Sequence, residues 1–248
     1  MCGNLDPAML VLENISKSLG RKRILSDISF EVREGSIFGY LGPNGAGKTT
    51  TIRIILGLFE QDRGSVMIAG LSPTVASRRR IGFLLEGDGL YNDLTVDENI
   101  ALYAGMYGLD LESTRDKIDN LLELFELNHV RSQRLSTFSR GMKRKTAFVR
   151  SIIHEPRLLI LDEPFNGLDP DMQGLMRESL LRLSREQDTT IFVSSHNLYE
   201  IDRICDRIAI IKDGVLKVND ATVDLKERYR REGMSLEDVY FSVTRGGG

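Results

Sequence analysis

The sequence is poor in cysteine. Cys2 and Cys205 stand far apart in a chain of 248 residues, which speaks against disulfide stapling and fits a reducing cytoplasm. It is also poor in net charge. Its 33 basic and 36 acidic residues leave −3, too weak a field to favour nucleic acid, so no nucleic-acid partner is expected. No apolar run approaches the roughly 18 residues needed to span a bilayer. The start, Met1 to Pro7, lacks the basic and apolar regions of a signal peptide. Internal repeats and low-complexity linkers are missing as well. Gly246-Gly247-Gly248 reads as a flexible end.

What remains suits a soluble α/β protein. At 41% hydrophobic and 28% charged, the chain has enough apolar surface for a sizeable core. Its length fits one large domain, or a core with a smaller subdomain inserted. Residues 10–38 alternate as strands do, with a hairpin turn at Gly20-Arg21-Lys22-Arg23. Ser36–Leu41 reads as a short strand before a glycine loop, and a helix follows through about Leu58. Ser65–Ala69 and Ile81–Leu85 are further strands. From about Val96 to Pro156 the period turns helical, which predicts a helical subdomain over 97–154 inside an α/β core of 10–96 and 155–221. Leu158–Leu161 is apolar throughout, as a strand buried on both faces should be. Met172, Met176, Leu180 and Leu183 mark an amphipathic helix over 171–186. Thr190–Ser194 is the next buried strand. Asn197-Leu198-Tyr199-Glu200 reads as a capping box, and Asp213-Gly214 as the turn of a hairpin. An N-terminal tail over 1–9 and a short helix and tail over 222–248 complete the division.

Gly42-Pro43-Asn44-Gly45-Ala46-Gly47-Lys48-Thr49 matches G-x-x-x-x-G-K-[ST] in full, between a predicted strand and a predicted helix. The glycines let the backbone wrap tightly and aim its N–H groups inward, where the helix N-terminus also favours phosphate. Lys48 should reach the β- and γ-phosphates. Thr49 should place its hydroxyl on Mg²⁺, with Thr50 towards the α-phosphate. The bland alternative is a glycine turn that binds nothing, and the completeness of the motif weighs against it.

Leu158–Leu161 delivers Asp162 and Glu163 to a strand end, the edge where open α/β sheets take ligands. Asp162 would hold Mg²⁺. Glu163 would accept a proton from the attacking water or position it. His196 follows another buried strand and could hydrogen-bond the γ-phosphate. Alone it would more often be structural.

Taken together and in this order, these motifs resemble the nucleotide-binding subunit of ATP-binding cassette (ABC) transporters, from about Leu10 to Asp220. Residues 42–49 match the Walker A loop and 158–163 the Walker B strand with its acids. Asn166-Gly167-Leu168-Asp169 matches the D-loop, and Ser195-His196 the switch histidine. The resemblance implies a P-loop NTPase core of mostly parallel sheet, with an antiparallel β subdomain and an inserted helical subdomain. The usual Leu-Ser-Gly-Gly-Gln signature aligns with Phe138-Ser139-Arg140-Gly141-Met142, where only Ser139 and Gly141 survive; the S-[KR]-G-M form looks like that of ABC-2-type exporters. Ser139 can cap the following helix. In the family this tip meets the nucleotide of a second copy, so the resemblance implies a head-to-tail dimer with two ATPs in its seam. It further implies that Gly141 and Asp169 contribute to nucleotide contacts, and that a separate transmembrane permease docks near Glu86–Asn92, with Leu90 and Tyr91 as apolar contacts. Such a subunit would sit on the cytoplasmic face of the membrane. Ser235–Phe241 looks like the short terminal helix of the exporters.

Two departures matter. Where the family carries a glutamine that touches Mg²⁺ and water, this chain has Glu86, which accepts hydrogen bonds but cannot donate them when ionised. Where an aromatic usually stacks on adenine, the stretch is Lys17-Ser18-Leu19-Gly20, and Leu19 offers no π-face; Arg21 or Arg23 could cover the ring. The rival reading within the family is an ABC-type ATPase that moves no solute and serves a regulatory or mechanochemical role.

Overall fold

The computed structural model describes residues 7–74, 79–231 and 234–245. Cys2 and the Gly246-Gly247-Gly248 end lie outside them. Two kinds of strand build two sheets. In β1 (Ala8–Leu19) and β2 (Lys22–Arg33) buried residues are interspersed with exposed ones, and the two pair antiparallel. With β4 (Arg63–Ile68) they form a three-stranded sheet in the order β2-β1-β4. By contrast β3 (Ile37–Leu41), β6 (Leu158–Asp162) and β7 (Thr190–Ser195) are buried at every position. They join β5 (Ile81–Leu84), β8 (Arg207–Lys212) and β9 (Val215–Ala221) in a sheet of order β5-β6-β7-β3-β8-β9. Its strands run parallel except β9, the antiparallel return of a hairpin. Residues alternate across β3: Ile37 and Leu41 enter one core, Phe38 and Tyr40 the other. The second core holds the two sheets together through aromatic rings. Phe30 of β2 stacks on Phe38 at 5.0 Å and on Phe192 at 5.8 Å.

The helices bury the remaining faces. They are α1 (Lys48–Ile55), α2 (Val96–Tyr107), α3 (Leu111–Leu124) and α4 (Arg140–Ile152), then α5 (Pro170–Gln187), α6 (Leu198–Ile204), α7 (Thr222–Arg231) and α8 (Leu236–Arg245). Thr95 and Glu98 close a capping box that starts α2. Ser139 caps α4 through Met142 N, and Asp169 caps α5 through Met172 N with Pro170 at the first helical position. Among the described residues no helix is long and apolar enough to cross a membrane.

Several expectations need correction. The first helix stops at Ile55, not Leu58, because Gly57 takes φ 64°. Gly57 N–H then donates to Ile54 O and Leu58 N–H to Arg53 O, the paired bonds of a Schellman stop. The N-terminal tail is shorter than 1–9, since β1 begins at Ala8. No capping box forms at Asn197. Its side chain caps Tyr199 N, but Glu200 turns inward, 2% exposed, and pairs with Arg177 of α5 at 3.1 Å. The burial of a carboxylate next to a guanidinium outweighs one exposed cap bond. Finally, the segment after 221 makes two helices rather than one. Leu225 of α7 and Val239 of α8 are fully buried, so both pack back on the core.

Candidate active site

The phosphate loop connects β3 to α1, and its shape depends on glycine at two places. Gly47 takes φ 113°, and a Cβ there would come within 2.6 Å of Leu25. At Gly42 a Cβ would meet the Ile211 carbonyl at 2.5 Å. The loop is also tied to the rest of the molecule by the β8–β9 turn, Asp213-Gly214, both at positive φ. Gly214 N–H donates to Ala46 O at 3.0 Å, and Ser26 N–H donates to Gly214 O at 2.8 Å.

Parallel strand register then sets the chemistry side by side. Asp162 ends β6 opposite Ser194 of β7. Ser194 Oγ donates to Asp162 Oδ1, and Thr49 Oγ1 donates to Asp162 Oδ2 at 2.9 Å. Asp162 is 1% exposed. The next residue, Glu163, sits at φ 51°, an uncommon conformation for a side chain of its kind, and its N–H donates to Ser194 O at 3.1 Å. Its Oε2 lies 2.9 Å from His196 Nδ1 and accepts the His196 backbone N–H at 3.3 Å. Its Oε1 is buried without a hydrogen-bond partner, 3.4 Å from Lys48 Nζ. Lys48 is almost fully buried and donates to Gly42 O at 2.6 Å and Pro43 O at 3.3 Å. Ammonium, hydroxyl, two carboxylates and imidazole therefore converge at the carboxyl ends of β3, β6 and β7.

These groups line a cleft of about 520 Å³ with Pro43, Asn44, Gly45, Gly47, Thr50 and Glu86. Gly42 and Ala46 are packed behind it. Ser139, Gly141 and Asp169 do not line it; Ser139 and Asp169 are exposed elsewhere on the surface. Two lining residues were not foreseen, Lys22 and Ile24, and a third, Asn166, was read only as part of the D-loop match. Leu19 is 46% exposed and is not part of the wall, nor are Arg21 and Arg23. Ser194 was also missed, since its role follows from strand register, which the sequence does not print. A larger cleft of about 830 Å³ lies among Glu34, Arg157 and Asp188, at the opposite strand ends. It holds none of this chemistry, and open α/β sheets bind ligands at the carboxyl ends.

The donor set fits a magnesium triphosphate. A hydroxyl and a carboxylate in contact are hard oxygen ligands of the kind Mg²⁺ takes. The buried ammonium and the amide-rich loop suit phosphate. A protein-family model described as ABC transporter matches residues 25–166, more than half of the chain. The chain belongs to the ABC transporter family. An uncharacterized ABC transporter ATP-binding protein of Bacillus subtilis, YhcH, is 40% identical over 229 residues, covering 89% of this chain and 74% of that one. The bacitracin transport ATP-binding protein BcrA of Bacillus licheniformis is 38% identical, covering 88% and 71%. Among solved structures, an ATP-binding subunit of an ABC transporter matches with a TM-score of 0.84 at 34% identity, covering 94% of this chain and 98% of that one. A dimeric ATP-binding cassette, MJ0796, bound to ADP and Pi matches at 0.80 and 24% identity, covering 86% and 99%, which speaks to the fold. This chain is thus an ATP-binding subunit of an ABC transporter, and its reaction is ATP hydrolysis.

Proposed function

We propose that two copies of this ABC transporter subunit close head-to-tail on two ATPs and drive export through a separate membrane-spanning partner. The observation that carries the reading is the convergence of Lys48, Thr49, Asp162, Glu163 and His196 in one cleft. Lys48 leaves Gly42 O and Pro43 O to take the β- and γ-phosphate oxygens, while the amides of 44–49 hold the rest of the chain of phosphates. Thr49 and Asp162, with Glu86 on the same wall, would hold Mg²⁺, which would offset phosphate charge. Glu163 Oε1, the orphaned oxygen, takes the proton of the attacking water, and His196 on Oε2 fixes the carboxylate's orientation and reaches the γ-phosphate. Lys22 and Ile24 form the wall nearest the base in place of an aromatic ring.

Support for the pairing of copies comes from the other motifs. Ser139 and Arg140 stand exposed at the N-terminus of α4, outside their own chain's cleft, and Ser139, Gly141 and Asp169 are free to meet a partner's nucleotide. The dimeric cassette of like fold accords with this. Export accords with the bacitracin relative and with the terminal helix α8. For docking to the membrane partner we assign Tyr91, which is exposed, with Leu102 and Met106, exposed one turn apart on α2; Leu90 is partly buried beneath. The subunit then works at the cytoplasmic face. The test is reconstitution in vesicles with the membrane protein encoded beside it. ATP-dependent substrate movement is expected; its absence from a complex that still hydrolyses ATP removes the transport reading and leaves a non-transport ATPase.

A further inference from the structure

Arg144 of α4 is an arginine buried where a helix faces a core. Only 4% of the residue is exposed. Its Nη1 donates to Leu85 O at 2.7 Å and to Asp88 Oδ1 at 3.2 Å. Its Nη2 donates to Asp162 O and, at 2.8 Å, to Glu163 O. One guanidinium thus grips the ends of both β5 and β6, one residue before Glu86 and at the main-chain carbonyls of the two acidic residues. Burial pulls its pKa below the usual arginine value, the Asp88 carboxylate opposes the shift, and the group stays charged. Packing alone does not explain such a residue. A methionine would fill the space without desolvating a charge, and buried ionic groups are better at fixing geometry than at adding stability.

We propose that Arg144 is a positioning residue for ATP hydrolysis, locking the backbone from which Asp162 and Glu163 project to the helix that Ser139 caps. Glu163 needs such a lock. It lies at φ 51° just past the end of β6, where its N–H donates to Ser194 O and its carbonyl accepts a turn bond from Asn166 N–H at 3.2 Å. Arg144 adds a rigid, planar fork on that carbonyl side and ties it to the carbonyl of Asp162. At the helix start the same body touches the loop that follows β6. The Arg140 stem lies against Gly167, as a Cβ on Gly167 would stand 3.3 Å from Arg140 Cδ. The surface that covers one nucleotide and the carboxylate that hydrolyses another are therefore held as one piece. A shift of the Ser139 tip is carried along the start of α4 through Arg144 to Glu163.

The inference rests on the proposed role of Glu163, and its test separates the two. In the full-length protein, Arg144→Met is expected to keep ATP affinity and KM within about threefold while kcat falls about 100-fold, the loss that a misplacement of about 1 Å produces. Arg144→Lys, a point charge that cannot fork across both strand ends, should recover only part of that loss. A kcat within about threefold of wild type in a folded Arg144→Met protein overturns the proposal, as does a loss of ATP affinity as large as the loss of kcat. If neither variant folds, Asp88→Asn carries the test by loosening the guanidinium from outside. A fall in kcat of about threefold or more at constant ATP affinity supports it, and wild-type kcat overturns it. Wild-type turnover in Glu163→Gln would instead sink the assignment of Glu163, a result independent of any Arg144 variant.

Discussion

The cleft at the ends of β3, β6 and β7 and the tip of α4 are the two polar regions most densely marked by motifs, and they are built in opposite ways. In the cleft the central acids are held by neighbours from other elements. Thr49 and Ser194 hold Asp162, and His196 and Lys48 flank Glu163. Asp162 and Ser194 sit on strands buried at every position, and Glu163 and His196 directly follow such strands, so their positions are over-determined. At the tip, the Ser139 hydroxyl meets only its own helix, and Arg140 leans on Gly167. The cleft is finished within one chain, and the tip is a capped helix end presented to solvent. A site that needs both must take the second from another surface.

The largest effect should come from the cleft. Glu163→Gln is expected to lower kcat about 1,000-fold while ATP binding persists, read by phosphate release and nucleotide titration. With ATP and Mg²⁺ the same variant should elute as a dimer from a sizing column, and a protein that stays monomeric would break the proposed pairing. At the tip, Ser139→Ala loses a helix cap worth about 1 kcal/mol. Turnover should fall about tenfold, the worth of one charge-assisted hydrogen bond, while ATP affinity of the monomer stays unchanged. If monomer affinity falls instead, tip and cleft are not separate regions. Leu19→Tyr asks whether the base side can be improved; about fivefold tighter ATP is expected from the low end of aromatic stacking, measured by isothermal titration. The smallest effect lies where the helical insertion returns to the sheet. Burial pushes His154, stacked on Tyr107, down to about 4. Between that value and its ordinary 6.5 the unfolded chain binds the proton more readily, so stability is full above pH 6.5 and falls as pH drops towards 4. Urea midpoints across that range should slope upward with pH, and His154→Phe, which keeps the stacked ring, should flatten the slope.

The parts of this molecule that read clearly from sequence are those fixed by local chemistry. The phosphate loop is contiguous, so its residues are visible together. The apolar run Leu158–Leu161 announces a doubly covered strand, and such a strand has to end at the sheet edge with Asp162 and Glu163. What stayed hidden depends on register and on which face of a helix turns inward. Ser194 reaches Asp162 only because β6 and β7 lie side by side in register. Glu200 looked like a cap until Arg177 of α5 stood beside it. Arg144 did leave a signal, an arginine on the buried face that α4 shares with Ala147 and Phe148, but periodicity counts apolar positions and passes over a charge among them. Leu19 was judged by its alignment with an aromatic, whereas the hairpin carries Lys22 and Ile24 to the cleft wall instead.

The Asp213-Gly214 turn has a consequence for how this protein can evolve. It leaves no room for a side chain at Gly214, where a Cβ would stand 2.1 Å from the Ile24 carbonyl, and it bonds both Ala46 and Ser26. The wall proposed to meet the base and the loop proposed to meet the phosphates are therefore riveted to a single hairpin from the far edge of the sheet. A mutation that relaxes one will drag the other, so preference for a nucleobase and grip on its phosphates have to drift together, and a change of either starts at a turn that touches neither.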